Sequence, residues 1–402
     1  MHSRVTGHFM QETSGQAPLV SVIIPTYNRA HMIAPCLESA LAQSFKDYEI
    51  IVVNDGSTDT TRDFLLKAYG NSIRYISHPT NRGLSAARNT GIEHARGTYI
   101  AVLDDDDLWL PEKLALQVEL MKANPDVVLA YCGTLKVDCQ GELIEEVKPE
   151  MRGHLFADML NRNCLKGPAS VAIFSREVLR ASGVFDTSLS SCADWDLWIR
   201  IARCGTVDFV DRPLVKYVIH QSNMHGNITG MARDTFAILD KYLPLLEQGD
   251  ESAHPGNRVY SNHLIHFAWE YYGHNDLRQF KNLLLQALER KPANRIPIRG
   301  DGLPEKEKAV MGVLRDYWDK AGSERGGRER SSAFSDHYIQ LAWEYYHQGD
   351  MGNFRRCIVR ACVHAFPNMP LRLAIPFFKS YMGKGMAESI HQARRRVRHA
   401  VN

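Results

Sequence analysis

Asp104-Asp105-Asp106-Asp107 sets four carboxylates side by side, directly after the apolar run Tyr99-Ile100-Ala101-Val102-Leu103. Like charges this close repel one another. The crowding becomes favourable when a hard divalent cation takes up carboxylate oxygens, as Mg²⁺ does while it also holds substrate phosphates. On extended backbone, side chains at i and i+2 share a side, so Asp104 and Asp106 face one site and Asp105 points away. The same residues can also be read as a solvated acidic loop ahead of a helix opened by Pro111. A second acidic position, Asp194 in Cys192-Ala193-Asp194-Trp195-Asp196, stands at the start of a helical pattern through Leu197 and Ile201. A carboxylate there can serve as an N-cap.

The acidic run needs a frame. Leu19-Val20-Ser21-Val22-Ile23-Ile24-Pro25 is a nearly continuous β-branched run, the pattern of a parallel strand buried on both faces. It ends in the polar turn Thr26-Tyr27-Asn28-Arg29. A second strand, Glu49 to Val53, ends in Asn54-Asp55-Gly56-Ser57-Thr58-Asp59, where Ser57 or Thr58 is expected to cap the following helix. Ile73 to Ile76 reads as a short third strand. Asn81-Arg82-Gly83-Leu84-Ser85-Ala86-Ala87-Arg88-Asn89 opens a helix that Gly97 stops. Strand and helix alternating at this spacing predict a doubly wound α/β sheet, and such sheets bind ligands beyond the carboxyl ends of their strands. Thr26 to Arg29, Asn54 to Asp59 and Asp104 to Asp107 are thereby expected at one edge. The sheet carries neither G-x-G-x-x-G nor G-x-x-x-x-G-K-[ST]. Phosphate must then be held by a cation on the aspartates and by side chains such as Arg88.

Composition narrows the class. The chain has 402 residues, 44% hydrophobic and 23% charged, with a formal net charge of +2. These are values of an ordinary globular protein of two or three domains, and no strong overall field points to nucleic acid. The 8 cysteines form no C-x-x-C pair. Cys36, Cys132 and Cys164 read as small core residues, Cys357 and Cys362 as helical, and the thiols as reduced, which places the protein in the cytosol. Residues 1–17 are polar, lack the apolar core of a secretory signal and read as a disordered leader. No apolar run reaches the length of a membrane span.

Four segments, Val22-Ile23-Ile24-Pro25-Thr26-Tyr27-Asn28-Arg29, Val53 to Asp59, Asn81-Arg82-Gly83 with Ala87-Arg88-Asn89, and Leu103 to Asp107, resemble the ordered motifs of the family 2 inverting glycosyltransferases, over roughly residues 18–225. The resemblance implies a GT-A fold. It implies a nucleotide-sugar pocket drawn from Pro25, Thr26, Tyr27, Arg29, Asp55, Arg88, Asp104, Asp105 and Asp106, with Asp55 at the base and Asp104 and Asp106 as the ends of a D-x-D motif. The cofactor implied is Mg²⁺ or Mn²⁺, with Asp106 and His220 as ligands and His225 as the alternative to His220. Asp194 matches the family's acidic motif, whose Asp is the general base for the acceptor hydroxyl. Family members often carry Glu before this Asp, where this chain has Ala193. Asp196 faces elsewhere and supports the helix. Neither the Q-x-x-R-W motif nor the membrane helices of the processive synthases are present, which suggests addition of one or a few sugars.

Residues 111–123 read as a helix, Val127 to Cys132 as a strand, Gln140-Gly141 as a turn, and Gly167-Pro168-Ala169-Ser170 as a substrate-side loop. After residue 230 the strand signals stop, and Met231 to Leu246 reads as an amphipathic helix packed on the transferase. Ser261-Asn262-His263-Leu264-Ile265-His266-Phe267-Ala268-Trp269-Glu270-Tyr271-Tyr272 then recurs as Ser335-Asp336-His337-Tyr338-Ile339-Gln340-Leu341-Ala342-Trp343-Glu344-Tyr345-Tyr346, which resembles tetratricopeptide helix pairs. From Leu371 to Asn402 there are seven Lys or Arg and a single acidic residue, Glu388. With Phe377, Phe378 and Tyr381 nearby, this tail could hold a helix on an anionic membrane surface, or end as a solvated helix.

The expected plan is a leader (1–17), a GT-A domain (18–228), linking helices with a first helical repeat (229–330), and a second repeat with a basic amphipathic tail (331–402). The expected partners are a nucleotide-sugar donor, UDP-linked by default with dTDP and GDP open, and a glycan or lipid-linked acceptor of the cell surface. Membrane contact through the tail and a protein partner or self-association through the repeats are further expectations, and nucleic acid is not. The competing readings are a sugar nucleotidyltransferase, which would want a Gly-rich N-terminal loop, and a helical-repeat scaffold with a relic first domain. The intact set Asp55, Asp104, Asp106 and Asp194 argues against decay.

Overall fold

The computed structural model describes residues 6–8, 17–220, 223, 227–246, 255–290, 305–306 and 309–314, with isolated positions between 337 and 360. The chain divides into two compact units, Met1–Asp250 and Glu251–Asn402. The first is built on a 10-stranded mixed sheet. Its strands and helices begin β1 (Thr6–His8), β2 (Val20–Thr26), α1 (Ile33–Leu41), β3 (Tyr48–Asn54), α2 (Thr61–Tyr69), β4 (Arg74–Ser77), α3 (Leu84–His94) and β5 (Tyr99–Val102). β4, β3, β2 and β5 lie side by side in parallel. β2 is buried along its whole length, as its unbroken apolar run requires of a strand covered on both faces. Gly91 of α3 sits directly over Ile23 of β2, where a Cβ would overlap that side chain; this close approach seats the helix that carries Arg88.

The second half continues through β6 (Asp107–Trp109), α4 (Lys113–Ala123), β7 (Val127–Val137), β8 (Leu143–Val147), α5 (Phe156–Asn161), β9 (Ile173–Ser175), α6 (Leu179–Ser182), α7 (Ala193–Ala202), β10 (Thr206–Val218) and α8 (Ile228–Tyr242). Here the sheet turns mixed. β9 enters antiparallel between β5 and β7, and β10 runs parallel to β7 and antiparallel to β6. The expected strands and helices are present, and several are longer or shorter than the local pattern indicates. Val127 to Cys132 extends to Val137, and a long strand from Thr206 to Val218 leads to His220. Asp107–Trp109 forms a short strand, which no run of alternating residues announced. Within the expected leader, Thr6–His8 pairs with β4 as an edge strand.

α7 is held by its apolar face. Leu197, Trp198 and Ile201 are fully buried, and the Trp198 ring meets Phe174 of β9 edge-on at 5.5 Å. Asp196 supports this packing, as expected. It is fully buried and accepts hydrogen bonds from Arg200 (Nε, 2.9 Å) and from the Tyr242 hydroxyl of α8 (2.8 Å). α8, placed among linking helices by the sequence, thus lies within the first unit.

The second unit contains the helix pair α9 (Pro255–Gly273) and α10 (Leu277–Arg290). Ala268 and Ala287 are fully buried, and the Ser261 hydroxyl donates to the Ala287 carbonyl at 3.0 Å, so the small residues do bring the helices close. Trp269, Tyr272 and Phe280 stack together with centroids 5.0–5.5 Å apart, which is packing chemistry. The second copy of the repeat and the basic tail lie outside the described residues, apart from isolated positions. Among the described residues no helix is long and apolar enough to cross a membrane.

Candidate active site

The three polar strand ends do converge, and they hold one another. After β2 the chain turns at Asn28, whose φ is 54°. Its side-chain oxygen accepts from the Thr58 N–H at 2.8 Å, and its own N–H donates to the Ser57 hydroxyl at 2.8 Å. Ser57 and Thr58 therefore do not cap α2 as the sequence suggested. That helix starts at Thr61, whose N–H is taken by the Asp59 carboxylate at 3.0 Å. Gly56 has a φ of 73°, and a Cβ there would collide with the Thr80 backbone; only glycine fits between the two loops.

The acidic run is a turn, closed by the Asp107 N–H donating to the Asp104 carbonyl at 3.0 Å. The alternation expected of extended backbone survives in it: Asp104 and Asp106 are partly exposed, whereas Asp105 and Asp107 are buried. Each carboxylate has a different partner. Asp104 pairs with the Arg88 guanidinium at 2.5 Å. Asp105 accepts from the Thr26 hydroxyl at 2.6 Å and faces Arg29 at 3.9 Å. Asp106 lies 3.1 Å from His220 Nε2 and 4.0 Å from Arg29. Asp107 accepts from the Ser170 hydroxyl at 2.5 Å.

Burial, then the neighbouring charges against the Thr26 hydrogen bond, push Asp105 up to about 7. Burial followed by Asp104 raises Asp106 despite Arg29 and His220, and burial followed by the other carboxylates raises Asp107 well above the ordinary range. Even with Arg29 and Arg88 beside it, a turn whose buried carboxylates have raised pKa values is suited to receive a cation. Asp106 and His220 bring two donors together. Among the described residues no group of three His, Cys, Asp or Glu forms a protein cage. A cation held here must take its remaining ligands from a diphosphate and water, which is how Mg²⁺ is usually bound at phosphate-transferring sites. The residues present fit that role. His220 itself is held by Asn223, whose side-chain oxygen accepts the His220 N–H at 2.6 Å. His225 lies outside the described residues.

Ser170, in the loop read as substrate-side, is the hidden support of the turn. It is fully buried, and its hydroxyl also accepts from the Asp104 N–H at 3.0 Å, while Trp109 Nε1 donates to its carbonyl at 3.0 Å. Oδ1 of Asp107 is buried without a partner. Ser170→Ala therefore removes the one donor to a buried carboxyl. It is expected to lower stability by about 1–3 kcal/mol, read from the urea midpoint at constant m.

Pro25 is buried within β2, and Tyr27 is 43% exposed at the mouth of the loops. Asp55 is buried and already well satisfied: it accepts from the Arg82 N–H (2.9 Å), the Gly83 N–H (2.8 Å) and His78 Nδ1 (2.6 Å). His78 continues to the Thr90 hydroxyl of α3 at 2.9 Å. Asp55 thus anchors the loop that leads into the Arg88 helix. His78 carried no sequence signal, since a single His after a short strand looks like any other.

Asp194 occupies the first turn of α7, where the N-cap is Cys192 and no side chain caps. The capping alternative is not what the structure shows. Asp194 accepts the adjacent Trp195 N–H at 2.7 Å, and its own backbone N–H also favours its charged form. Burial raises its pKa, Arg88 opposes that rise, and Asp104 adds to it. Asp194 therefore shares an electrostatic neighbourhood with the Arg88–Asp104 pair, although it lies on the far half of the sheet in sequence. Arg88 is itself buried, its Nε has no partner, and its guanidinium lies 5.1 Å from the Phe185 ring.

Residues 21–183 match the model of Glycosyl transferase family 2. An uncharacterized glycosyltransferase of Rickettsia typhi is 34% identical over 239 residues, covering 57% of this chain and 73% of that protein. Chondroitin synthase of Escherichia coli is 30% identical over 216 residues, covering 52% of this chain and only 30% of that much longer protein. The crystal structure of S. aureus TarS 1-349 in complex with UDP-GlcNAc is similar with a TM-score of 0.53 at 16% identity, covering 85% of this chain and 90% of that one. At that identity the likeness speaks for the fold, a GT-A sheet followed by a helical C-terminal region. The chain belongs to glycosyl transferase family 2.

Proposed function

We propose that the protein is an inverting, metal-dependent glycosyltransferase that moves a sugar from a nucleoside-diphosphate donor to a hydroxyl of a glycan or lipid-linked acceptor. The observation that carries this reading is a buried carboxylate, Asp194, bonded only by backbone N–H groups at its own helix start and within electrostatic reach of the Arg88–Asp104 pair, the residues that would receive a diphosphate. Tyr27 and Asp55 frame the base, with Pro25 and Thr26 shaping the strand end beneath it. Arg29 and Arg88 supply positive charge, and Asp104 and Asp105 set the ribose side of the turn. Asp106 and His220 would hold Mg²⁺ or Mn²⁺, which would stabilise charge developing on the leaving diphosphate. Asp194 accepts the proton of the acceptor hydroxyl. The hydroxyl oxygen bonds to the anomeric carbon as the bond to the diphosphate oxygen breaks on the opposite face, so the anomeric configuration inverts.

The relation to a chondroitin synthase supports an acceptor in polysaccharide synthesis. A similarly folded protein that holds UDP-GlcNAc makes UDP-sugars the first donors to test. The basic tail would bring the enzyme to an anionic membrane surface carrying a lipid-linked acceptor.

Calorimetric titration of the full chain with UDP, dTDP and GDP, each with Mn²⁺ and with EDTA, tests the donor half. UDP is expected to bind in Mn²⁺ and at least about tenfold more weakly in EDTA, a difference of about 1.4 kcal/mol. Folded protein that binds no nucleotide under either condition overturns the reading.

A further inference from the structure

The N-terminal turn of α7 has an anion, and it comes from another helix. Asp234 lies on α8, beyond the residues matched by the family model, and is 1% exposed. Its Oδ2 accepts the N–H groups of Ser190 (2.7 Å), Ser191 (2.7 Å) and Cys192 (3.4 Å), the three residues leading into α7. Its Oδ1 pairs with Arg233 (Nε, 3.0 Å; Nη2, 2.8 Å). Consecutive backbone N–H groups turned to one point form a cradle for negative charge, and helix N-termini favour the same sign. Asp194 is the next carboxylate along the chain. Without Asp234, the entry turn would lose the anion that satisfies these N–H groups, two residues before Asp194.

We propose that Asp234 is a positioning residue for the transfer step: it satisfies the entry turn of α7 and thereby leaves Asp194 for the acceptor hydroxyl. This inference rests on Asp194 being the base. α8 is well placed for the task, since Met231 and Thr235 also reach Cys192 and Tyr242 fastens the far end of α8 to Asp196. The charged groups that act on Asp194 are Arg88 from α3 and Asp104 from the acidic turn, with the Cys192 thiol beside it. Asp234 acts on it through the loop.

The test compares Asp234→Asn, Asp234→Glu, Arg233→Ala and Asp194→Asn in the full chain. Asn keeps the shape and one acceptor but loses the charge. Its kcat is expected to fall about 10- to 100-fold, while the Kd for UDP in Mn²⁺ stays within about twofold. The acidic limb of its kcat–pH profile should move to lower pH, because a carboxylate that gains N–H bonds ionises more readily. Asp234→Glu should bring that limb back, and Arg233→Ala, which removes the outer partner of Asp234 and a 2.8 Å bond to the Ser190 hydroxyl but leaves the carboxylate on the three N–H groups, should stay within about threefold of the parent. An Asp234→Asn enzyme with unchanged kcat and limb overturns the inference, as does a loss of UDP binding in parallel with kcat. Turnover retained by Asp194→Asn fails the function reading instead, so the two failures are distinct.

Discussion

Asp194→Asn is expected to lower kcat about 10³-fold, the contribution typical of a positioned general base, with UDP binding in Mn²⁺ unchanged. Asn keeps the volume and can still accept the Trp195 N–H, so the helix start stays intact and the loss reports the missing base. Single-turnover transfer with the donor identified by titration, set beside calorimetric binding, separates the two quantities. Burial raises the Asp194 pKa against the pull of Arg88. The base works only when ionised, so activity is lost as pH falls through that raised value. The acidic limb of the kcat profile should accordingly lie above the ordinary aspartate pKa of about 3.9. Turnover in Asp194→Asn within tenfold of the parent would remove Asp194 from the mechanism.

The second large effect concerns Asp106. Replacing it with Asn removes the negative charge and one of the two carboxylate oxygens at the Asp106–His220 pair, whose members are 3.1 Å apart. A fall in kcat/KM of about 10²-fold is expected, corresponding to about 2.7 kcal/mol of transition-state stabilisation. The difference in UDP affinity between Mn²⁺ and EDTA should largely vanish. The same substitution should raise, not lower, the melting temperature of the metal-free protein at pH 8. Asp105, Asp106 and Asp107 all have raised pKa values, with burial the largest cause. The folded state therefore holds protons that the unfolded chain gives up near pH 4, and stability falls as pH rises from there towards about 7, where Asp105 ionises. Deleting one charge from the turn relieves that strain, and the gain should be absent at pH 4. A melting temperature that drops at pH 8 would show that the contacts of Asp106 with Arg29 and His220 outweigh the repulsion. Sites that trade stability for function in this way are common.

Much of this protein is written in local pattern. The nearly continuous apolar runs of β2, β3 and β5 located the strands to within a residue or two, because burial on both faces admits a polar residue only where it finds a hydrogen-bond partner, as Ser21 does with Glu49. The polar strand ends followed from the same runs, and four adjacent carboxylates after a buried strand mark a charged site whatever the fold. The role expected of Asp196 was legible from its spacing to Asp194 on one helix.

What tertiary structure decided is which partner each polar group takes. Thr26 and Asp105 are separated by 79 residues, Ser170 and Asp107 by 63, and His220 and Asp106 by 114. Asn28 holds the Thr58 N–H, and the start of α2 is bonded by Asp59 rather than by Ser57 or Thr58. Asp234 reached the entry of α7 from 44 residues away and left Asp194 bonded only to the backbone at its own helix start. Periodicity reports only which face of an element is dry, and composition only which charges are present. A buried hydrogen bond is directional and short-ranged, so its partner is set by where separate strands end in the sheet. Sequence spacing does not encode that position.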